Sequence, residues 1–192
     1  MEEVKGLIQG ISNWLLDICN NNNVLDYDEE IFLYGVEVII TTLINLVLLL
    51  IVGLVSGTAD QAMVYFVSYA FLRKFIGGYH CNTNFKCITF NVSKYIIYVL
   101  ICPHIEISII IMLLIILFTL VLIVYKAPFE HKNRPISPED KIVYKKYALI
   151  IAFIYGGAIL LVNTYSYILL YVLVITNLSA IPCIIESYEK SS

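Results

Sequence analysis

Long apolar blocks alternate with short polar ones along the chain, and the alternation predicts six membrane segments behind an amphipathic helix. Over residues 4–18, Val4, Leu7, Ile8, Ile11, Trp14, Leu15 and Ile18 recur at the spacing of one helix face, opposite Lys5, Gln9, Ser12, Asn13 and Asp17. That run is too short and too amphipathic to span. It predicts a helix lying in the membrane interface or packed on the rest of the chain. Asparagines 20–23 break it, and Asp26 to Glu30 lead to the first span, about residues 31–56. Gly57-Thr58-Ala59-Asp60 makes a tight turn into a less apolar segment, about 61–76, that ends in Arg73-Lys74. A polar stretch, 77–86, precedes a third segment, 87–102, which contains Asn91 and Lys94. After a turn at Pro103 to Glu106, residues 107–125 carry no charge at all. A basic stretch, 126–146, separates them from a segment at about 147–162. Asn163-Thr164-Tyr165 then turns into the last, 166–185, and a polar tail ends the chain.

Composition agrees. Of 192 residues, 60% are hydrophobic and 14% charged, with a mean hydropathy of +0.85. Soluble domains run at roughly 45–50% apolar and about 25% charged, and a spanning helix needs about 20 mostly apolar residues. The expected fold is therefore an all-α polytopic membrane protein, one domain over residues 1–192. The net charge of −3 matters less than where the cations sit. Six of the twelve Lys and Arg fall in the 126–146 stretch, namely Lys126, Lys132, Arg134, Lys141, Lys145 and Lys146. The turns at 57–60, 103–106 and 163–166 have none. The positive-inside bias then puts both termini, the 126–146 stretch and the Arg73–Cys87 connection on the cytoplasmic side. Five scattered cysteines, Cys19, Cys81, Cys87, Cys102 and Cys183, do not form a secreted disulfide framework. The acidic start lacks the basic n-region of a secretory signal.

Polar groups at membrane depth are functional candidates, and the densest set is the run from Arg73 to Cys87. Gly77-Gly78 lets the chain turn sharply or approach another backbone closely. His80 follows, and Cys87 comes seven residues later. A continuous helix would hold those two side chains roughly 10 Å apart, so contact requires a break between Gly78 and Phe85. An imidazole can take the thiol proton and then stabilise the thiolate, which is the nucleophile. Arg73, Lys74, Lys86 and a helix N-terminus near Cys87 favour the same charge state. By spacing alone, an interfacial histidine and a packing cysteine fit as well.

The run Leu72-Arg73-Lys74-Phe75-Ile76-Gly77-Gly78-Tyr79-His80, with Cys87 seven residues on, resembles the core signature of the accessory gene regulator protein B (AgrB) family. Val124-Tyr125-Lys126-Ala127-Pro128, then Lys132-Asn133-Arg134-Pro135-Ile136 and Lys145-Lys146-Tyr147, resemble that family's cytoplasmic loop. The likeness covers nearly the whole chain. It implies a membrane cysteine endopeptidase of Gram-positive bacteria, which removes the C-terminal part of an AgrD-type propeptide and helps close a thiolactone or lactone quorum-sensing peptide. Cys87 would be the nucleophile and His80 the general base. Arg73, Gly77 and Gly78 would support the site or position the propeptide, and Arg73 fits equally a lipid-facing anchor whose charge snorkels to the interface. Lys126, Pro128, Lys132, Arg134 and Pro135 would form a loop that binds an acidic propeptide tail or simply sets topology beside anionic lipid. The resemblance brings in the propeptide and membrane lipid as partners and allows a homodimer. It calls for no cofactor, no metal and no nucleic acid. Where members often carry Ala, this chain has Cys81, read here as a bystander. No third catalytic member stands out among Asn82, Asn84 and Glu37.

Three other readings compete. Zinc held by His80, Cys81, Cys87 and His131 lacks an HExxH pair or a closely spaced CxxC set. A transporter or channel using Glu37, Asn45, Arg73 and Lys94 lacks internal repeats. A serine peptidase lacks a GxSxG-like element.

Overall fold

The computed structural model describes residues 2–21, 28–78, 83–129 and 137–189. Seven α-helices are described: α1 (Glu2–Asn21), α2 (Glu29–Ser56), α3 (Ala59–Ile76), α4 (Asn84–Ile101), α5 (Ile109–Lys126), α6 (Pro138–Leu161) and α7 (Ser166–Glu189). Short 3-10 turns, Cys102–His104 and Asn163–Tyr165, lie at the expected breaks. No strand occurs among the described residues.

Four of the expected segments, α2, α5, α6 and the stretch Asn163–Pro182, are long and apolar enough to cross a membrane. The second and third do not reach that standard. Their helices, α3 and α4, have 18 residues each, about 27 Å at 1.5 Å per residue. They contain Asp60, Arg73 and Lys74 in the one, and Lys86, Asn91 and Lys94 in the other.

Packing accounts for that polarity. The most apolar helices lie outermost: α2 and α5 bury little of their length, whereas half of the Asn163–Pro182 stretch is buried. Helix α3 packs on α2, α6 and α7, and α4 packs on α2 and α7. Helix α3 buries Ala62, Tyr65, Ser68, Leu72 and Ile76, one face at the spacing of a helix. Helix α4 buries Ile88, Asn91, Lys94, Tyr95 and Tyr98. Hydroxyls satisfy the polar groups thus enclosed. Tyr65 donates to Asn91 Oδ1 at 3.0 Å, Tyr98 to Gln61 Oε1 at 2.7 Å, and Tyr155 to the Ser68 carbonyl at 3.1 Å. The rings of Tyr65, Tyr95, Tyr98 and Tyr171 stack or tilt against one another across α3, α4 and α7.

Local signals set the helix ends. The Asp28 side chain accepts from Glu30 N–H, and Gly57 closes α2 in the left-handed region with φ 71°. Gly53 then lets α2 and α3 meet closely: a Cβ there would sit 2.8 Å from Ala62 Cβ and 3.0 Å from the Ala59 Cα. Gly53→Val is expected to cost about 1–3 kcal/mol by overpacking, read as a lower midpoint of thermal unfolding in detergent. A parent-like midpoint would contradict this close approach.

Helix α4 begins three residues earlier than expected and α7 runs four residues further, to Glu189, but the largest difference is at α6. Helix α6 begins at Pro138, nine residues before the apolar block, because Ser137 Oγ accepts from Asp140 N–H at 3.1 Å and Pro138 opens the first turn. Lys141, Lys145 and Lys146 therefore lie on the first turns of α6 rather than in a loop. Helix α1 packs by one face on α2 and α4, with Ser12 buried, and exposes Ile11, Trp14 and Ile18.

Candidate active site

The Gly-Gly turn is the centre of the arrangement. Helix α3 ends at Ile76, where Gly77 N–H donates to the Arg73 carbonyl at 3.1 Å. Gly77 has φ 78° and ψ −152°, and Gly78 has φ 117°, backbone that only glycine adopts comfortably. Both residues also face atoms that leave no room for a Cβ. At Gly77 it would overlap the Phe129 carbonyl, and at Gly78 the Arg73 guanidinium.

Phe129 lies just past α5, and it pairs with the turn as a short parallel bridge. Its N–H donates to the Ile76 carbonyl at 2.8 Å, and its carbonyl accepts from Gly78 N–H at 3.2 Å. Ala127 and Phe129 are buried, with Pro128 between them in a cis peptide. Arg73 Nη1 donates to the Gly77 carbonyl, which tightens the end of α3. Two sequence segments that lie far apart, 73–78 and 127–129, are thus clipped together by their backbones. The sequence allows a sharp turn or a close backbone approach at the glycines; both occur, and Phe129 is the partner it does not identify.

Cys87 occupies the next helix. Thr83 caps α4, its hydroxyl accepting from Lys86 N–H at 3.3 Å, and Cys87 N–H donates to the Thr83 carbonyl at 3.1 Å. Cys87 therefore sits one turn into α4, exposed, with Lys86 beside it and Ile88 buried behind it. The positive end of the helix dipole favours negative charge on that first turn. The break required by a His80–Cys87 contact is present, since α3 stops at Ile76 and α4 starts at Asn84. His80 itself, with Cys81 and Asn82, lies outside the described residues, as do Lys132, Arg134 and Pro135. Lys126 is exposed at the end of α5.

A further polar set was only half visible in the sequence. Lys94, two turns beyond Cys87, is 7% exposed and donates to Tyr69 OH at 2.8 Å and Ser179 Oγ at 3.3 Å. A lysine inside an apolar segment was the signal. Its partners, on α3 and α7, had none.

The family model for accessory gene regulator B matches residues 9–185. The putative AgrB-like protein 2 of Clostridium perfringens is 30% identical over 145 residues, covering 70% of this chain and 67% of that protein. The FsrB protein of Enterococcus faecalis is 27% identical over 180 residues, covering 88% of this chain and 72% of that protein. No solved structure matches the chain.

Proposed function

Because the chain belongs to the accessory gene regulator B family, which ties it to the processing of quorum-sensing peptides, we propose that it is a membrane-embedded cysteine endopeptidase acting on an AgrD-type propeptide. The observation that carries this reading is the clip between Gly77-Gly78 and Phe129, one short connection from the helix that bears Cys87. It fixes the backbone at the end of α3, just before His80 in sequence, while Thr83 separately caps the start of α4 that carries Cys87.

His80 takes the thiol proton, and Cys87 Sγ attacks the propeptide carbonyl. The C–S bond forms as the C–N bond breaks, and the departing amine takes the proton from the imidazolium. The C-terminal fragment leaves an acyl-enzyme behind. A cysteine or serine of the propeptide then attacks the thioester, closes the ring and returns the sulfur of Cys87 as the leaving group. Water at this stage would yield a linear product, so a site at the membrane face that excludes water favours cyclisation. Arg73, Gly77 and Gly78 hold the turn. Lys126, Lys132 and Arg134, around Pro128 and Pro135, offer positive charge to an acidic propeptide tail. In this reading α3 and α4 complete six crossings, sheltered by the apolar helices around them. The basic segments, both termini and the site face the cytoplasm.

Inhibitor response tests the class of chemistry. With the chain in lipid vesicles and a candidate propeptide, iodoacetamide is expected to stop cleavage and EDTA to leave it unchanged. The opposite pattern would sink the thiol mechanism in favour of a metal enzyme.

A further inference from the structure

Lys94 is a buried charge on α4 that the proposed chemistry does not use. Its ammonium is buried and meets only neutral groups among the described residues. These are Tyr69 OH on α3, Ser179 Oγ on α7, and the rings of Phe90 and Tyr69, with centroids 4.2 and 4.8 Å away. Ser179 spends its own hydrogen on the Ile175 carbonyl at 2.7 Å, so its lone pair is turned to the lysine. The Lys94 carbonyl is tied as well, accepting from Tyr171 OH at 2.6 Å. An enclosed cation that meets no carboxylate among the described residues is costly, and an apolar side chain of similar length is commonly neutral or stabilising in such a place. Stability therefore does not account for a lysine here.

Its contacts have a common destination. Tyr69 is one helical turn before Arg73, whose guanidinium holds the Gly77 carbonyl. Ser179 presents its backbone oxygen to Gly78, where a Cβ would come within 3.1 Å of it. Lys94 itself shares a face of α4 with Cys87, seven residues and two turns away. One side chain on the Cys87 helix is thus bonded to the helix that carries the Gly-Gly turn and to the helix that backs it.

We infer that Lys94 is a positioning residue, whose ammonium braces α4 against α3 and α7 and so fixes Cys87 relative to the Gly77-Gly78 turn. The inference rests on the peptidase reading for its kinetic consequence, but not for its structural one. Misplacement by about an ångström costs catalysis on the order of 10²-fold. Lys94→Met should therefore lower kcat for propeptide cleavage at least about tenfold, leave KM within about twofold, and keep the thermal midpoint at or above that of the parent. Lys94→Arg, which restores the cation and its donors, should recover most of the loss.

The deciding experiment pairs that assay with hydrogen exchange of the full chain in nanodiscs. Lys94→Met should speed exchange several-fold at Gly78 and over the first turns of α4, with α5 and α6 unchanged. Exchange at the parent level in Lys94→Met would overturn the brace, and so would a KM that rises while kcat holds. If the parent itself cleaves no propeptide, the peptidase reading falls and exchange alone decides the brace. Should Lys94→Met loosen the whole chain, the Tyr69→Phe, Ser179→Ala double variant, which keeps the charge and removes its two hydrogen-bond acceptors, is judged by the same local exchange.

Discussion

Cys87→Ala is expected to reduce propeptide cleavage by at least about 10³-fold, to background, while the chain reaches the membrane at the parent level. Removing a nucleophile removes the covalent route altogether, and triad-type enzymes lose activity on this scale or beyond. The structural cost should be small, because Cys87 is exposed on the first turns of α4 and its neighbour Ile88, not the thiol, is buried. His80→Ala should fall nearly as far if, as proposed, the imidazole is the base for the thiol. Cys81→Ala should process normally, which separates the catalytic thiol from its bystander. Cleavage is followed by mass spectrometry of the released C-terminal fragment, normalised to membrane-inserted chain. Loss in Cys81→Ala with retention in Cys87→Ala would move the nucleophile.

Gly77→Ala is the second large effect. At φ 78° and ψ −152° a Cβ is strained by about 1–3 kcal/mol. It would also run into the Phe129 carbonyl, with the Phe129 carbon at 3.1 Å and nitrogen at 3.2 Å. Relief requires Phe129 to withdraw, which breaks both backbone hydrogen bonds of the clip and releases the segment that carries His80. Cleavage should drop on the order of 10²-fold, with a thermal midpoint a few degrees lower. Gly57→Ala is the matched control. Gly57 also has a positive φ, 71°, but nothing lies within 4 Å of its would-be Cβ. It should show about 1–2 kcal/mol of strain and full activity. Equal losses in both variants would mean that backbone strain, not the clip, controls the site.

How far the sequence foretold this depends on the kind of signal. Helix α5 follows from an apolar run without charge, α2 from one interrupted only by Glu37, Asn45 and a few threonines, and the turn at Gly57 from its residue type. The start of α6 was misread because hydropathy counts Lys141, Lys145 and Lys146 as loop. The capping run Ser137-Pro138-Glu139-Asp140, which states the boundary, is a local hydrogen-bonding signal that carries no hydropathy. The polar content of α3 and α4 was visible, but not its reason, which is enclosure by neighbouring helices. At the site, the glycines announced a close approach without naming Phe129, since a backbone-to-backbone bridge leaves no mark on the partner's side chain. Lys94 stood out as a charge in an apolar segment, whereas Tyr69 and Ser179 read as ordinary residues of their helices. The pairing of Cys87 with His80 came from a family resemblance. The family match supports that origin, and His80 lies outside the described residues.

Capture of the acyl-enzyme tests the proposed thiol mechanism at its decisive step. The chain, incubated with a propeptide whose ring-forming cysteine or serine is replaced by alanine, is quenched in acid and weighed intact. The expected result is a mass increase equal to the N-terminal acyl part of the propeptide, mapped to Cys87 and released by hydroxylamine as a thioester should be. Cleavage that proceeds while Cys87 remains unmodified, or an adduct on another residue, would contradict it.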